Sequence, residues 1–201
     1  MLPFFKKRCL AGALILSCAL QSCQLITGQE QEPKTTVYTI KKGTHDALRA
    51  FAADPDFVKV LSTERVRFSV IFDSTAVYAT KDPANQRDMN KLYGLSDCSS
   101  DHHTNSVRFG WRWYGERLEV HAYTYRNKVR ESAFIGYVTL GKPSACEIRL
   151  EDQAYVLTMD GKSVSLPRNC NGKGEGYQLY PYFGGDEAAP HDITISIQEL
   201  L

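Results

Sequence analysis

Residues 106–125 read SVRFGWRWYGERLEVHAYTY. Two runs of alternating character flank Tyr114-Gly115-Glu116-Arg117, a turn-forming centre. Successive side chains of a strand point to opposite faces, so a hairpin turning here sets Trp113 opposite Leu118. One face then carries Val107, Phe109, Trp111 and Trp113 against Leu118, Val120, Ala122 and Thr124. That is a core face. The other carries Arg108, Gly110 and Arg112 against Tyr123, His121 and Glu119, and Tyr125 extends the row. Arg112 meets Glu119 as a favourable cross-strand pair. Gly110, opposite His121, is expected to leave room over the imidazole. A slip of one residue would mix the two faces, so the pattern supports this register.

Period-two alternation continues outward on both sides. It predicts strands at 37–40, 67–72 (continuing through 75–79), 106–113, 118–125, 134–140, 147–150, 155–159, 163–166, 177–183 and 193–197. Residues 46–53 suit one short helix, and 81–90, with Pro83, suit a loop containing a helical turn. Met159-Asp160-Gly161-Lys162 is a hairpin turn in which Asp-Gly supplies positive φ. Many short strands separated by frequent turn signals predict an all-β fold, an antiparallel β-sandwich or barrel.

Two stretches sharpen this. Tyr155-Val156-Leu157-Thr158-Met159-Asp160-Gly161-Lys162 is a strand running into a hairpin. Leu179-Tyr180-Pro181-Tyr182-Phe183-Gly184-Gly185, a polar loop and His191-Asp192-Ile193-Thr194-Ile195-Ser196-Ile197 close the chain. Together they resemble the concanavalin A-like, or laminin-G-like, jelly-roll sandwich. The resemblance implies sugar binding or polysaccharide cleavage, on a fold that hosts many functions.

The beginning of the chain bears on location. Lys6, Lys7 and Arg8 precede a short apolar stretch from Cys9 to Leu20, too short to span a bilayer. It ends in Leu20-Gln21-Ser22-Cys23, which resembles the bacterial lipobox, with Cys23 as the acylated residue. The expected organisation is a signal peptide over 1–22, a lipidated tether over 23–36 and a β-sandwich domain over 37–201. Localisation to the cell membrane or outer membrane follows, facing the periplasm or exterior, with the acyl chains as the only membrane attachment. Of 24 basic and 23 acidic residues the signal removes three basic ones, leaving a mature charge of −2. A slightly acidic chain lacks the positive excess of a nucleic-acid binder.

Past Cys23 only Cys98, Cys146 and Cys170 remain. In an oxidising compartment three cysteines form at most one disulfide. Cys98 and Cys170 lie in loop-like sequence and Cys146 begins a strand, so Cys98–Cys170 is the expected bridge.

Arg108, Arg112, His121, Tyr123 and Tyr125 are the candidate ligand-binding residues. Aromatic rings stack on sugar faces, and Arg grips carboxylates or sulfates bidentately. The expected partner is therefore a glycan or polysaccharide, an acidic one suiting best. No E-x-D-x-x-E run is present, so glycoside hydrolysis, which needs two carboxyls flanking the bond, is set aside. An acidic-polysaccharide lyase is the catalytic alternative. Arg108 would neutralise the uronate, and His121, Tyr123 or Tyr125 would move protons. Tyr180-Pro181-Tyr182-Phe183 looks like the aromatic strand of jelly-roll alginate lyases, without the Lys and Asn-Gln of their motif. A purely structural envelope lipoprotein is the third reading. No cofactor is required. Asp186 and Asp192, with Glu187, beside the Gly-Gly loop, are candidate ligands for a structural calcium, the alternative being a solvated acidic loop. Cys98, Asp101, His102 and His103 are zinc-ligand types. A strand would send the adjacent imidazoles to opposite faces, and oxidation removes the Cys98 thiolate, so zinc is set aside.

Overall fold

The computed structural model describes residues 34–49 and 58–200. The signal peptide, Cys23 and most of the tether lie outside them, as do residues 50–53 of the expected helix. Thirteen strands run in chain order among the described residues. They are β1 (Thr35–Ile40), β2 (Ala47–Arg49), β3 (Val60–Thr63), β4 (Arg65–Phe72), β5 (Asn90–Ser96), β6 (Ser106–Tyr114) and β7 (Arg117–Arg126). Then come β8 (Val129–Val138), β9 (Ser144–Glu151), β10 (Ala154–Met159), β11 (Lys162–Pro167), β12 (Gly174–Leu179) and β13 (Ile193–Leu200). They form a seven-stranded sheet, β11-β10-β9-β4-β13-β1-β2, and a six-stranded sheet, β3-β12-β5-β6-β7-β8. Every pairing is antiparallel. This is an antiparallel sandwich, one of the two forms the alternation predicts, with the paired sheets that the jelly-roll resemblance implies.

The β6–β7 register is the one predicted: Trp113 pairs with Leu118, Gly110 with His121 and Arg108 with Tyr123. Val107, Phe109, Trp111, Leu118, Val120 and Ala122 are fully buried against the other sheet. Phe109 packs edge-on to Phe68 of β4 at 5.6 Å between centroids, and Trp111 lies 5.2 Å from Phe72. Ile148, Leu157, Ile193, Ile195 and Ile197 complete the layer. Asp160 and Gly161 both take positive φ, 47° and 81°, as the hairpin after β10 requires.

Four local readings change. Residues 47–49 form a strand on the edge of β1, so the short helix expected from residue 46 does not begin there. Ser74–Ala76 is a 3₁₀ turn capped by Asp73, and β4 stops before it. The strand expected at 177–183 ends at Leu179, and Tyr182 continues only as isolated bridges to Asp46 and Lys91. β5, at the heart of the six-stranded sheet, has no alternating signature. Lys91 pairs with Gly110 and Gly94 with Arg108, so three steps on β5 match two on β6. This bulge turns both Leu92 and Tyr93 into the core and breaks the period.

One end of the sandwich is tied across the two sheets. Asp97, following β5, and Arg168, following β11, are an ion pair with both side chains fully buried. Asp97 accepts from Arg168 Nε at 2.7 Å, the Tyr155 hydroxyl at 2.8 Å and the Glu175 amide at 3.1 Å. Arg168 also donates to the carbonyls of Glu151, Gly172 and Lys173. Beside it Cys98 and Cys170 form the expected disulfide, and Cys146 is free and buried. Removing one partner of such a pair leaves a buried charge uncompensated. Asp97→Ala should therefore cost about 3–5 kcal/mol in urea denaturation of the oxidised protein. A loss below about 1 kcal/mol would show that the pair does not hold the sheets.

Candidate functional site

The outer face of the six-stranded sheet carries all five sequence-derived candidates, but they separate into two groups. In the first, Arg112 Nε donates to Glu119 Oε2 at 2.7 Å, and His121 Nε2 lies 3.0 Å from the same oxygen. Arg112 also donates to the Arg87 carbonyl at 2.8 Å. Burial alone would raise the Glu119 pKa, but the hydrogen bonds from Arg112 and His121 bring it below its usual range. Burial lowers the His121 pKa, and its Glu119 partner opposes the shift. The ring packs edge-on against Phe134 at 5.4 Å. The room expected over Gly110 is taken: a Cβ there would stand 2.7 Å from Met89 Cγ. This group meets its own hydrogen-bonding needs.

The second group is different. Arg108 and Tyr123 leave the core face, as the register requires, yet are only 6% and 3% exposed. They form the floor of the face. The Arg108 guanidinium lies 5.7 Å from the Tyr123 ring centre. Its Nε is buried without a hydrogen-bond partner, and no acidic side chain pairs with it among the described residues. Gly94 makes the placement possible, because a Cβ there would lie 2.4 Å from Arg108 Cβ. Tyr125 packs against Tyr123 at 5.9 Å.

Sequence reasoning missed three further members. The β5 bulge turns Lys91 onto this face, with Nζ 5.8 Å from the Tyr123 ring and 5.2 Å from the Tyr182 ring. Lys91 also donates to the Gly184 carbonyl. Tyr182 stacks on His45 at 5.2 Å. Tyr177 of β12 borders Arg108, and it also lines an open groove of about 510 Å³ with Val58, Val60, Ser99, Asp101 and Glu175. Tyr182 stood in a conspicuous aromatic run. Lys91 had no signal, because the bulge that aims it also erases the alternation.

Two cations thus share a half-dry floor. Burial and then the Arg108 charge lower the Lys91 pKa to about 8, against an opposing contribution from Asp88. Burial likewise lowers the Arg108 pKa and pushes Tyr123 up to about 12. Burying charge without a counter-charge costs free energy. An anion seated here would recover part of it, and the phenol rings would supply stacking faces and hydroxyl donors. The arrangement is suited to binding. It does not join His121 to Arg108, as proton abstraction beside a neutralised uronate requires, because His121 is held by Glu119.

The expected calcium ligands are not brought together. Asp192 pairs with Lys41 Nζ at 2.7 Å and accepts from the Lys42 amide at 2.9 Å. Glu187 accepts from the amides of Lys81 and Asp82 and from Asn85. The Asp186 amide faces Asp88. Among the described residues, neither cluster with metal-ligand spacing includes Asp186, Glu187 or Asp192. The Asp192 and Glu187 carboxylates are occupied in joining loops.

No protein-family model matches the chain, and no curated protein matches its sequence. Solved structures resemble it loosely. The carbohydrate binding module CBM66 from Bacillus subtilis is 11% identical, covering 80% of this chain and 82% of its own, with a TM-score of 0.40. A functionally unknown protein from Saccharomyces cerevisiae is 9% identical, with coverages of 82% and 84% and a TM-score of 0.48. Domains LG4-5 of the mouse laminin alpha1 chain are 13% identical, with coverages of 84% and 42% and a TM-score of 0.41.

The Lys91 environment has a measurable consequence. A lysine whose folded pKa lies below its ordinary 10.5 binds fewer protons folded than unfolded between about pH 8 and 10.5. Its contribution to stability therefore rises with pH across that window. Denaturation of the parent against Lys91→Met should show this rise in the parent alone. Parallel pH profiles would mean that Lys91 titrates normally.

Proposed function

We propose that this chain is a cell-envelope lipoprotein whose six-stranded sheet recognises an acidic glycan. The observation that carries the reading is Arg108, a buried guanidinium whose Nε has no partner, set beside Lys91 on a floor of tyrosine rings. A guanidinium presents donors in a planar fork that matches a carboxylate or sulfate. Lys91 adds a second charge, and Tyr123, Tyr125, Tyr177 and Tyr182 offer rings and hydroxyls for the sugar. Arg112 and His121, already engaged by Glu119, border the ligand and tune the floor. The groove beyond Tyr177 extends the surface along a chain of sugars.

The test is affinity and stability together. Calorimetry with polygalacturonate, alginate and heparin, and with dextran as a neutral control, should show binding to one or more of the polyanions alone, weakening with salt. Arg108→Met should lose about 1–3 kcal/mol of that binding, the range for a hydrogen bond to a charged group. The same substitution should leave stability unchanged or raised, because it removes a buried charge that has no acidic partner among the described residues. Binding that survives Arg108→Met would overturn the reading. Incubation with these polymers should yield no unsaturated product by absorbance, and its appearance would instead favour the lyase.

Anchoring is proposed at Cys23, on the lipobox-like sequence alone. Cys23→Ala expressed in a bacterial host should move the protein from the membrane to the soluble fraction. Continued partition into detergent would overturn the anchor.

A further inference from the structure

We propose that Asp101, His102 and His103 form a binding site for a divalent cation of the zinc class. The obstacle anticipated from the sequence was that adjacent imidazoles on a strand diverge. Residues 102–104 form a turn instead. The Asp101 carbonyl accepts from the Thr104 amide at 2.8 Å, and the Asp101 carboxylate accepts from the His103 amide at 2.8 Å. This closes the turn and draws the two imidazoles to one side, with ring centres 4.0 Å apart.

Both rings face one carboxylate. His102 Nδ1 lies 3.6 Å from Asp101 Oδ2, and His103 Nδ1 lies 3.6 Å from Asp101 Oδ1. One ligand atom from each of the three residues lies within 4.8 Å of the others. Zinc takes nitrogen and oxygen ligands at about 2.0–2.2 Å in tetrahedral array, which sets two such atoms roughly 3.3–3.5 Å apart. The two His–Asp separations are close to this, and side-chain rotation in the turn would bring the three atoms, now within 4.8 Å, around an ion. Two nitrogens and one carboxylate suit a borderline cation. Magnesium and calcium prefer all-oxygen sets.

Tyr125 packs edge-on to His103 at 5.5 Å and orients its ring. The Tyr177 hydroxyl lies 2.9 Å from His102 Nδ1, and an ion bound through that nitrogen replaces this hydrogen bond. Cys98 is in the disulfide and contributes no thiolate. Three protein ligands leave a fourth position for water or an outside group.

The experiment uses zinc chloride as the probe and untagged protein in a non-chelating buffer. Calorimetry at neutral pH should show one ion per chain, and cobalt should give the visible absorption of a tetrahedral site. His102→Ala and His103→Ala should each weaken binding tenfold or more, and Asp101→Asn several-fold. His45→Ala and His191→Ala should leave it unchanged. The His103 side chain is 68% exposed, so its removal leaves the fold intact by circular dichroism. Unsaturable binding, affinity unchanged in His103→Ala, or loss in His45→Ala or His191→Ala would overturn the site.

Discussion

The register between β6 and β7 is the constraint on which the remaining structure depends. With Arg108 opposite Tyr123 and Trp111 opposite Val120, one face of the hairpin is apolar apart from Thr124 and fills the sandwich. A shift of one residue would mix the faces, and with β7 kept in place it would carry Arg108 and Arg112 inward and expose Phe109 and Trp111. Burying two arginines without partners is costly enough to exclude that alternative. The same alternation that builds the core therefore delivers the polar row to the outer face. Core and candidate site are two sides of one pairing.

Among the described residues two arginines are nearly inaccessible, and their contrast separates architecture from availability. Arg168 donates to Asp97 and to three carbonyls, so its charge is matched within the fold. It joins the ends of the two sheets next to the disulfide. Arg108 is buried to a similar degree, but its Nε has no partner and its charged neighbour, Lys91, has the same sign. A fold optimised only for stability would place a carboxylate or an apolar side chain there. The glycine at position 94 serves the close approach of β5 to β6, where a Cβ would stand 2.1 Å from the Val107 carbonyl oxygen. Desolvation strengthens any interaction that a matching anion makes with it.

Much of the fold was legible because most strands have one dry face and one wet face. β1, β4, β6, β7, β9, β10 and β13 all alternate and were all anticipated. The Cys98–Cys170 bridge was legible from the loop character of its two segments. The failures share a cause: departure from period two. β5 turns consecutive residues inward at a bulge, so neither the strand nor Lys91 could be recognised. The aromatic run through Tyr182 reads as one strand, but the chain breaks at Tyr180 and rejoins the sheet only as isolated bridges. His102 and His103 were assigned the divergence of a strand and instead share a turn. Gly110 left a gap in the row that Met89, from a loop, fills.

By itself the sequence determined the sandwich class, the β6–β7 pairing and which side chains share the outer face, because those follow from local alternation and the exclusion of charge from an apolar layer. Tertiary structure alone decided which of those side chains are free to act. Glu119 engages Arg112 and His121, whereas nothing in the described fold engages Arg108 Nε. It also decided that Lys91, Tyr177 and Tyr182 join Arg108, and that Asp192 pairs with Lys41. Partnership of this kind depends on strand order, a bulge and loop closure between residues far apart in the chain, and hydrophobic periodicity carries no record of those.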